Sequence, residues 1–343
     1  MYFVLMKVNK IYCKINKIWI NSLFVVVYLL IILPFSSKAQ LYKPHPLLSP
    51  MWQADADYFL PSETADTLRN GFASAAFQFR VPLYIGKDWL SADGGKAFFA
   101  ALMQAGTSVR QTQGSFFDPD KTLTNTRISF SGMMANGPSS LRNLYFVQLA
   151  TALPSEDYAF KVNYLQFSGT AVWRHLYHNN KLWHTLGLTY TPIFGRNLLL
   201  PVAGIGYKIN KENQVQFTFP FNFAYTHEFA RNFNLSVRLN NNGGYYYLQS
   251  EDASNNDNIV YRQRYRKLSL VARYYTTRHV VLTPEIGLTG KSKIEIDEAV
   301  INQVTSLYFR FTMQVRFGKR PAASPILNFD PGDSGFDPGY LSE

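Results

Sequence analysis

The sequence predicts an all-β fold, a closed antiparallel transmembrane β-barrel of about 12 strands. Apolar and polar residues alternate along many stretches, and this period of two indicates strands because successive side chains leave a strand on opposite faces. The predicted strands have roughly 9 to 17 residues, whereas soluble strands usually have about 3–10 and a tilted strand crosses a bilayer with about 9–11. No useful stretch shows a helical period. A closed sheet satisfies every backbone group in lipid without exposing an edge.

The first 39 residues have the pattern of a secretory signal peptide. A basic n-region precedes an apolar core from Leu23 to Phe35, and Ser37-Lys38-Ala39 offers small residues for cleavage before Gln40. An uncleaved N-terminal anchor is the alternative. The single cysteine, Cys13, lies in this segment, so the mature chain is expected to fold without disulfides.

The mature chain carries a modest positive charge. The formal net charge of +11 falls to +6 without residues 1–39, because five lysines and no acid lie there. The cations are spread along the chain, which argues against a nucleic-acid-binding patch. Aromatic residues make up 16% of the chain. This excess suits girdles at the membrane interfaces, with Trp89, Trp173, Trp183 and Tyr245–Tyr247 as candidates.

The strands are predicted within residues 71–318, between two flanking segments. Residues 40–70 are punctuated by proline and are expected to form a periplasmic N-terminal segment outside the barrel. Residues 319–343 contain Phe-Asp-Pro-Gly twice and are rich in Pro, Gly, Ser and Asp, a composition that favours a disordered tail. The twelve predicted strands cover about 77–85, 96–112, 125–136, 142–153, 160–176, 181–192, 198–210, 214–225, 232–240, 261–277, 280–289 and 305–318.

The last strand shows why the apolar face should meet lipid. From Leu307 to Phe317 every second residue is apolar, and the residues between include Arg310, Gln314 and Arg316. In a membrane barrel the apolar row faces lipid and the polar row faces a wet interior. The rival fold is a soluble β-sandwich or a large lipocalin-like barrel, which would bury the phenylalanine rows and expose the arginines.

Connection lengths fit this barrel except at one place. With both termini periplasmic, the turns at 195–197, 227–231 and 277–278 fall on the periplasmic side, and the longer connections 250–260 and 291–304 fall outside. Short periplasmic turns and longer outer loops are the rule for bacterial barrels. The connection 113–124 is long on the side where turns should be short, so the strand count carries an uncertainty of two.

These features together resemble a known group. A basic signal, a mature start at Gln40, twelve alternating strands and a last strand ending on Phe317 resemble bacterial outer-membrane β-barrel proteins. Over about residues 55–318 the chain is similar to an uncharacterised family of such barrels, catalogued only as a domain of unknown function. The resemblance implies the outer membrane of a Gram-negative cell, with its lipid and the barrel insertion machinery as partners. That machinery reads the alternating aromatics of a final strand, but 26 residues follow Phe317 here.

The polar rows supply the candidate site. The predicted lumen-lining residues are Arg80, Arg127, Arg273, Glu285, Arg310, Gln314 and Arg316. Rings of Arg or Lys make a pore favour anions, and arginine binds carboxylates and phosphates through a planar fork. The chain is therefore expected to form a passive channel for small solutes, anionic ones among them. The alternative is a closed structural or partner-binding barrel in which Arg, Glu and Tyr pair to plug the lumen.

An outer-membrane lipid-modifying enzyme is the third hypothesis. No histidine lies in a serine-containing pattern that would define a catalytic triad, and no HExxH pair exists. The sequence therefore predicts no catalytic residue, no metal ligand and no cofactor.

Overall fold

A computed structural model describes residues 50–317, apart from 64–68, 91–95, 114–121, 138–142, 157–160, 178–180, 194–195, 220–221, 231, 249–258, 278, 291 and 297–298. The predicted signal peptide and C-terminal tail lie outside these residues. The strands are β1 (Met51–Glu63), β2 (Arg69–Leu90), β3 (Lys96–Gln113), β4 (Thr122–Gly137), β5 (Asn143–Glu156), β6 (Gln166–Leu176), β7 (Leu182–Ile193), β8 (Arg196–Lys208), β9 (Asn213–Phe219), β10 (Asn222–Ala230), β11 (Phe233–Leu248), β12 (Ile259–Tyr275), β13 (Val280–Thr289), β14 (Ser292–Ile296), β15 (Ala299–Gln303) and β16 (Ser306–Arg316). A 3-10 turn covers Val162–Tyr164, and no helix in the described part of the chain is long and apolar enough to cross a membrane.

Fourteen of these strands close into one antiparallel ring. Each of β1 to β11 pairs with its neighbour in sequence, β1 also pairs with β16, and the order continues through β13 and β12. The ring closes where β12 pairs with β11, from Phe233↔Tyr274 to Leu248↔Ile259. The predicted closed antiparallel barrel is therefore confirmed, with fourteen strands instead of about 12.

The other two strands lengthen the last hairpin. β13 stops pairing with β12 at Lys267↔Thr289, and β14 takes over on the same side of β12 at Arg264↔Lys293. β14 pairs with β15, which leads into β16. β14 and β15 thus continue the sheet past the ends of β13 and β16, on the side of the barrel opposite to the termini.

The strand count was too low at two places. Met51–Glu63 is a barrel strand that pairs with β2 and β16, although the sequence assigned residues 40–70 to a flanking segment. Its outward positions include the small residues Ala54 and Ala56, so the apolar row is weak. The predicted strand 214–225 is two strands, β9 and β10, joined at residues 220–221.

These two corrections also change the ends at which turns lie. The connection 114–121 now falls at the end with longer connections, so the exception noted in the sequence disappears. The turn at 194–195 lies at that same end, opposite to the turn around 277, so its predicted placement on the side of the termini was wrong. All connections at the end that carries the termini are short, as bacterial barrels require of their periplasmic side.

The faces are arranged as the alternation predicted. Phe217 is 44% exposed, and Phe219 and Phe223 also point outward, whereas Arg310 and Arg316 are 8% and 3% exposed on the inside. An aromatic belt follows the outer face near the termini, where Trp173 and His184 contact edge to face. Trp183, a predicted girdle residue, is instead buried inside the barrel. The side chain of Trp89 lies outside the described residues.

Candidate functional site: the barrel interior

Cations outnumber acids among the described side chains at interior positions. Along each strand, exposed outward residues alternate with residues that face the interior, and this alternation identifies the interior positions. The interior cations are Arg80, Arg110, Arg127, Arg174, Lys208, Arg238, Lys267, Arg273, Arg310 and Arg316. The interior acids are Asp55, Asp57, Glu156, Glu228 and Glu285. The interior surface is therefore positive within the described part of the chain.

A close ion pair inside the barrel joins the first and last strands. Arg310 on β16 lies directly opposite Asp57 on β1. Arg310 Nε and Nη2 donate to the two carboxylate oxygens of Asp57 at 2.5 and 2.7 Å, and Ser74 Oγ on β2 donates to Asp57 at 3.2 Å. Two parallel bonds of this kind give an arginine–carboxylate pair its strength and fixed orientation. The pair links β1 to β16, the first and last strands of the ring.

A row of polar side chains continues from this pair toward the termini. Thr312 donates to Asp55, which also accepts a 2.8 Å bond from Gln53 Nε2. Gln314 Nε2 donates to Gln53 Oε1 at 2.9 Å, and Arg316 donates to Gln314 at 3.3 Å. The interior face of β1 and β16 is thus a connected hydrogen-bond network.

An aromatic cluster occupies the interior on the other side of the Asp57–Arg310 pair. Phe59, Phe72, Tyr265 and Tyr308 pack together and are all buried. Phe59 stacks on Phe72 with ring centroids 3.9 Å apart and on Tyr308 at 5.0 Å. Tyr308 also donates its hydroxyl hydrogen to Glu285. The ammonium of Lys267, only 1% exposed, lies 4.6 Å from the Tyr308 ring centroid and 5.2 Å from that of Phe59, within the range of cation–π attraction.

Arg110 connects this cluster to strands across the interior. Its Nη1 on β3 donates to Gln263 Oε1 on β12 at 3.0 Å. Its guanidinium carbon lies 4.2 Å from the Phe72 ring centroid and 5.4 Å from that of Tyr246 on β11. β3 is not a neighbour of β11 or β12 in the ring, so these contacts cross the interior. We call Phe59, Phe72, Arg110, Lys267 and Tyr308 the constriction.

The barrel also narrows near the end with longer connections. Ser155 on β5 pairs in parallel with Tyr247 on β11, although five other strands separate β5 from β11 along the ring. Leu123 on β4 packs with Tyr246, Tyr261 and Ile294. Opposite walls therefore meet at this level.

The wall from β6 to β11 is polar and carries fewer aromatic rings than the wall with the Phe59–Tyr308 cluster. Thr170 and Thr189 share a 2.9 Å hydrogen bond, and Arg174 Nε donates to Thr185 at 3.1 Å. The Trp183 ring lies 5.9 Å from the Arg174 guanidinium. Hydroxyl and amide side chains thus dominate this wall, with arginine held among them.

The seven predicted lumen residues all occupy interior positions but do not form one site. Arg80 on β2 donates to Gln104 at 3.3 Å; Arg127 is on β4, Arg273 on β12 and Glu285 on β13. Arg310, Gln314 and Arg316 belong to the network on β16. Their role as pore lining stays a prediction.

Sequence reasoning missed Asp55, Asp57, Arg110 and Lys267. The two aspartates were missed because β1 was not recognised as a strand. The signal for Lys267 was available, since Tyr261, Gln263, Tyr265 and Lys267 alternate along β12. Its aromatic partners come from other strands, which alternation does not reveal. No cluster of three or more His, Cys, Asp or Glu suited to a metal ion occurs among the residues that the structure describes.

The fold and its faces define the class as a β-barrel of the outer-membrane type. Over residues 157–319 the chain matches the family model described as "Domain of unknown function (DUF6268)". This match confirms the resemblance to an uncharacterised barrel family. No curated protein matches the chain.

Several solved outer-membrane barrels resemble the structure at low sequence identity. An outer membrane channel from Pseudomonas putida F1 is 7% identical, with 82% of this chain and all of that chain covered and a TM-score of 0.42. The NanC porin is 9% identical, with 78% and 100% covered and a TM-score of 0.35. OccK7 from Pseudomonas aeruginosa is 8% identical, with 79% and 100% covered and a TM-score of 0.33. At such identities the likeness concerns the fold alone.

Proposed function

We propose that this chain is a bacterial outer-membrane barrel, not an enzyme, and that it acts as a passive channel for small solutes with a preference for anions. The observation that supports the proposal is the excess of cations over acids at the described interior positions. Cationic side chains in a narrow passage with low-dielectric walls raise the local concentration of anions.

The constriction sets the size of solute in this proposal. Aromatic rings fill part of the interior at this level, and Arg110 and Lys267 add positive charge beside them. Positive charge at this level attracts a carboxylate or a phosphate and repels a cation. The passage is thus suited to small anions more than to large or cationic solutes.

The test is the current carried by refolded protein in planar bilayers. Under a KCl gradient, we expect single-channel events with a reversal potential on the anion-selective side. Arg80 and Arg316 each lie opposite Met51, on neighbouring strands near the termini. The double variant Arg80→Gln/Arg316→Gln should move the reversal potential toward zero because it removes two interior charges.

The matched control is Lys181→Gln/Lys211→Gln, which removes two charges from exposed turns at the same end of the barrel. The control should leave the reversal potential unchanged. A conducting barrel whose selectivity is the same in all three proteins would show that the interior arginines do not select ions.

A closed barrel without transport is the second candidate function. The cross-interior contacts of Arg110 with Gln263 and of Ser155 with Tyr247 favour it. The double variant Phe72→Ala/Arg110→Ala removes the contacts of the constriction from the side of β2 and β3. If the native barrel carries no current and this variant does, the constriction closes an existing passage. If neither conducts, the closed barrel is the correct assignment.

A further inference from the structure

Three arginines follow one another on the outer face of β12. Arg262, Arg264 and Arg266 occupy alternate, outward positions, and the same row continues with Leu268 and Leu270, both well exposed. The outward face of this strand therefore changes from cationic to apolar within two residues. In a membrane barrel such a change marks the boundary between headgroups and hydrocarbon.

On the neighbouring strands β11 and β13, the outer face also becomes apolar at this level. Leu268 lies beside Leu239 on β11 and Leu288 on β13, both of which are exposed on the outer face. Two residues before Leu268, Arg266 lies beside Asn241 on β11. The backbone carbonyl of Arg266 accepts a 2.7 Å hydrogen bond from the Gly290 amide. The boundary therefore crosses three adjacent strands.

At the level of Arg264, Lys293 on β14 adds a fourth cation. Arg264 lies between Gly243 and Lys293, and the Arg264 and Lys293 side chains are 44% and 45% exposed. Gly243 has no side chain to cover the guanidinium. We name Arg262, Arg264, Arg266 and Lys293 the cationic patch.

One described carboxylate lies within the cationic patch. Glu295 accepts Lys293 Nζ at 2.8 Å and lies 3.5 Å from Arg262 and 4.0 Å from Arg264. Glu295 therefore orients these side chains within the patch. Arg266 lies nearest to the apolar band, two positions from Leu268.

We propose that the cationic patch binds the phosphate groups of lipid headgroups in the outer leaflet. The inference rests on the proposed outer-membrane location but not on transport. Arginine forks bind phosphate oxygens in pairs, and the patch lies beside the apolar band, where the headgroup of a lipid would lie. The short turns at the opposite end place the patch on the outer side of the membrane.

The experiment measures binding of a diphosphoryl lipid A to the full-length refolded barrel in detergent, by microscale thermophoresis. The dephosphorylated form of the same lipid is titrated in parallel. The double variant Arg264→Gln/Arg266→Gln should weaken binding of the phosphorylated lipid by about tenfold or more, given the contribution of each basic residue near an anionic surface. The control Lys181→Gln/Lys211→Gln, at the other end of the barrel, should change the affinity less than twofold.

Three results would overturn the assignment. Equal affinity of the native protein for both lipids would show that phosphate is not recognised. Unchanged affinity in the patch variant would place the lipid elsewhere. Full displacement of the lipid by equimolar inorganic pyrophosphate would indicate a site for free phosphate. Because the patch faces outward, single-channel current should be the same in both variants, so failure of the channel proposal is recorded separately.

Discussion

Charged residues inside the barrel are held in specific partnerships. Asp57 and Arg310 are both almost fully buried and satisfy each other through two hydrogen bonds. A buried pair gives little net stability relative to apolar residues, but removal of one partner leaves an uncompensated charge. Removal of Arg310 is therefore expected to act on stability, whereas Arg80 and Arg316 lie outside this ion pair.

The first prediction concerns this ion pair. Arg310→Ala should lower the free energy of unfolding by about 3–5 kcal/mol because it leaves the Asp57 carboxylate buried without a cation. The double variant Asp57→Asn/Arg310→Gln should lose less, since both charges are removed. Urea titration of the barrel in lipid vesicles measures all three values. A double variant that is at least as unstable as Arg310→Ala would contradict the cost assigned to the uncompensated Asp57 charge.

The second prediction concerns a side chain on the lipid face. Leu270 lies four residues from Arg266 along β12, which is about 13 Å at 3.3 Å per residue and, with strand tilt, near the centre of the apolar band. Leu270→Arg should therefore lower the free energy of unfolding by about 2–4 kcal/mol. Asn241→Arg, at the polar boundary, should cost at most about 1 kcal/mol. Equal costs at the two positions in the same urea assay would contradict the assigned depth.

At the scale of strands, a contact between a tryptophan on β7 and a glycine on β8 shows why one strand position requires glycine. Trp183 lies directly opposite Gly206, and its ring covers the glycine on the inner face. A methyl group at position 206 would overlap this ring. The strand glycine is thus required by the close approach of a large side chain.

The third prediction follows from this contact. Gly206→Ala should lower the free energy of unfolding by about 1–3 kcal/mol because the Trp183 ring must leave its rotamer. Gly132→Ala is the matched control, since a methyl group there would have its nearest neighbour, the Phe99 ring, at 3.9 Å. The control should change stability by less than about 0.5 kcal/mol. A loss in both variants would point to strand flexibility instead of the tryptophan contact.

The hairpin of β9 and β10 shows a limit of pattern reading. Phe217 and Phe219 face outward on β9, and Phe223 faces outward on β10. The alternation continues in register through the short turn at 220–221, so one long strand and two short strands have the same period. Only the pairing of Phe217 with Phe223 distinguishes them.

At the scale of the whole molecule, β1 completes the ring. It is the only strand between β2 and β16, and it carries Asp57 to Arg310 across 253 residues of sequence. Without it, β2 and β16 would each present an unpaired edge in lipid, where unsatisfied backbone groups are costly.

The fourth prediction tests this closure. A variant that lacks residues 51–63 should fail to give the heat-modifiable gel migration of a folded barrel after refolding. A variant that lacks residues 319–343, the predicted tail, should migrate as the full-length protein does. A folded, heat-modifiable band without residues 51–63 would show that another strand closes the ring.

The sequence by itself determined most strands of the barrel, the face that each of these presents to lipid and the interior position of every predicted arginine. These properties are local, because alternation acts over a few residues. Only the tertiary structure decided the number of strands, the end at which each turn lies and the partners of the interior charges. Arg110 meets Gln263 across 153 positions in sequence, and Lys267 meets rings from β1 and β16. Contacts of that kind depend on how the sheet closes, which no local pattern specifies.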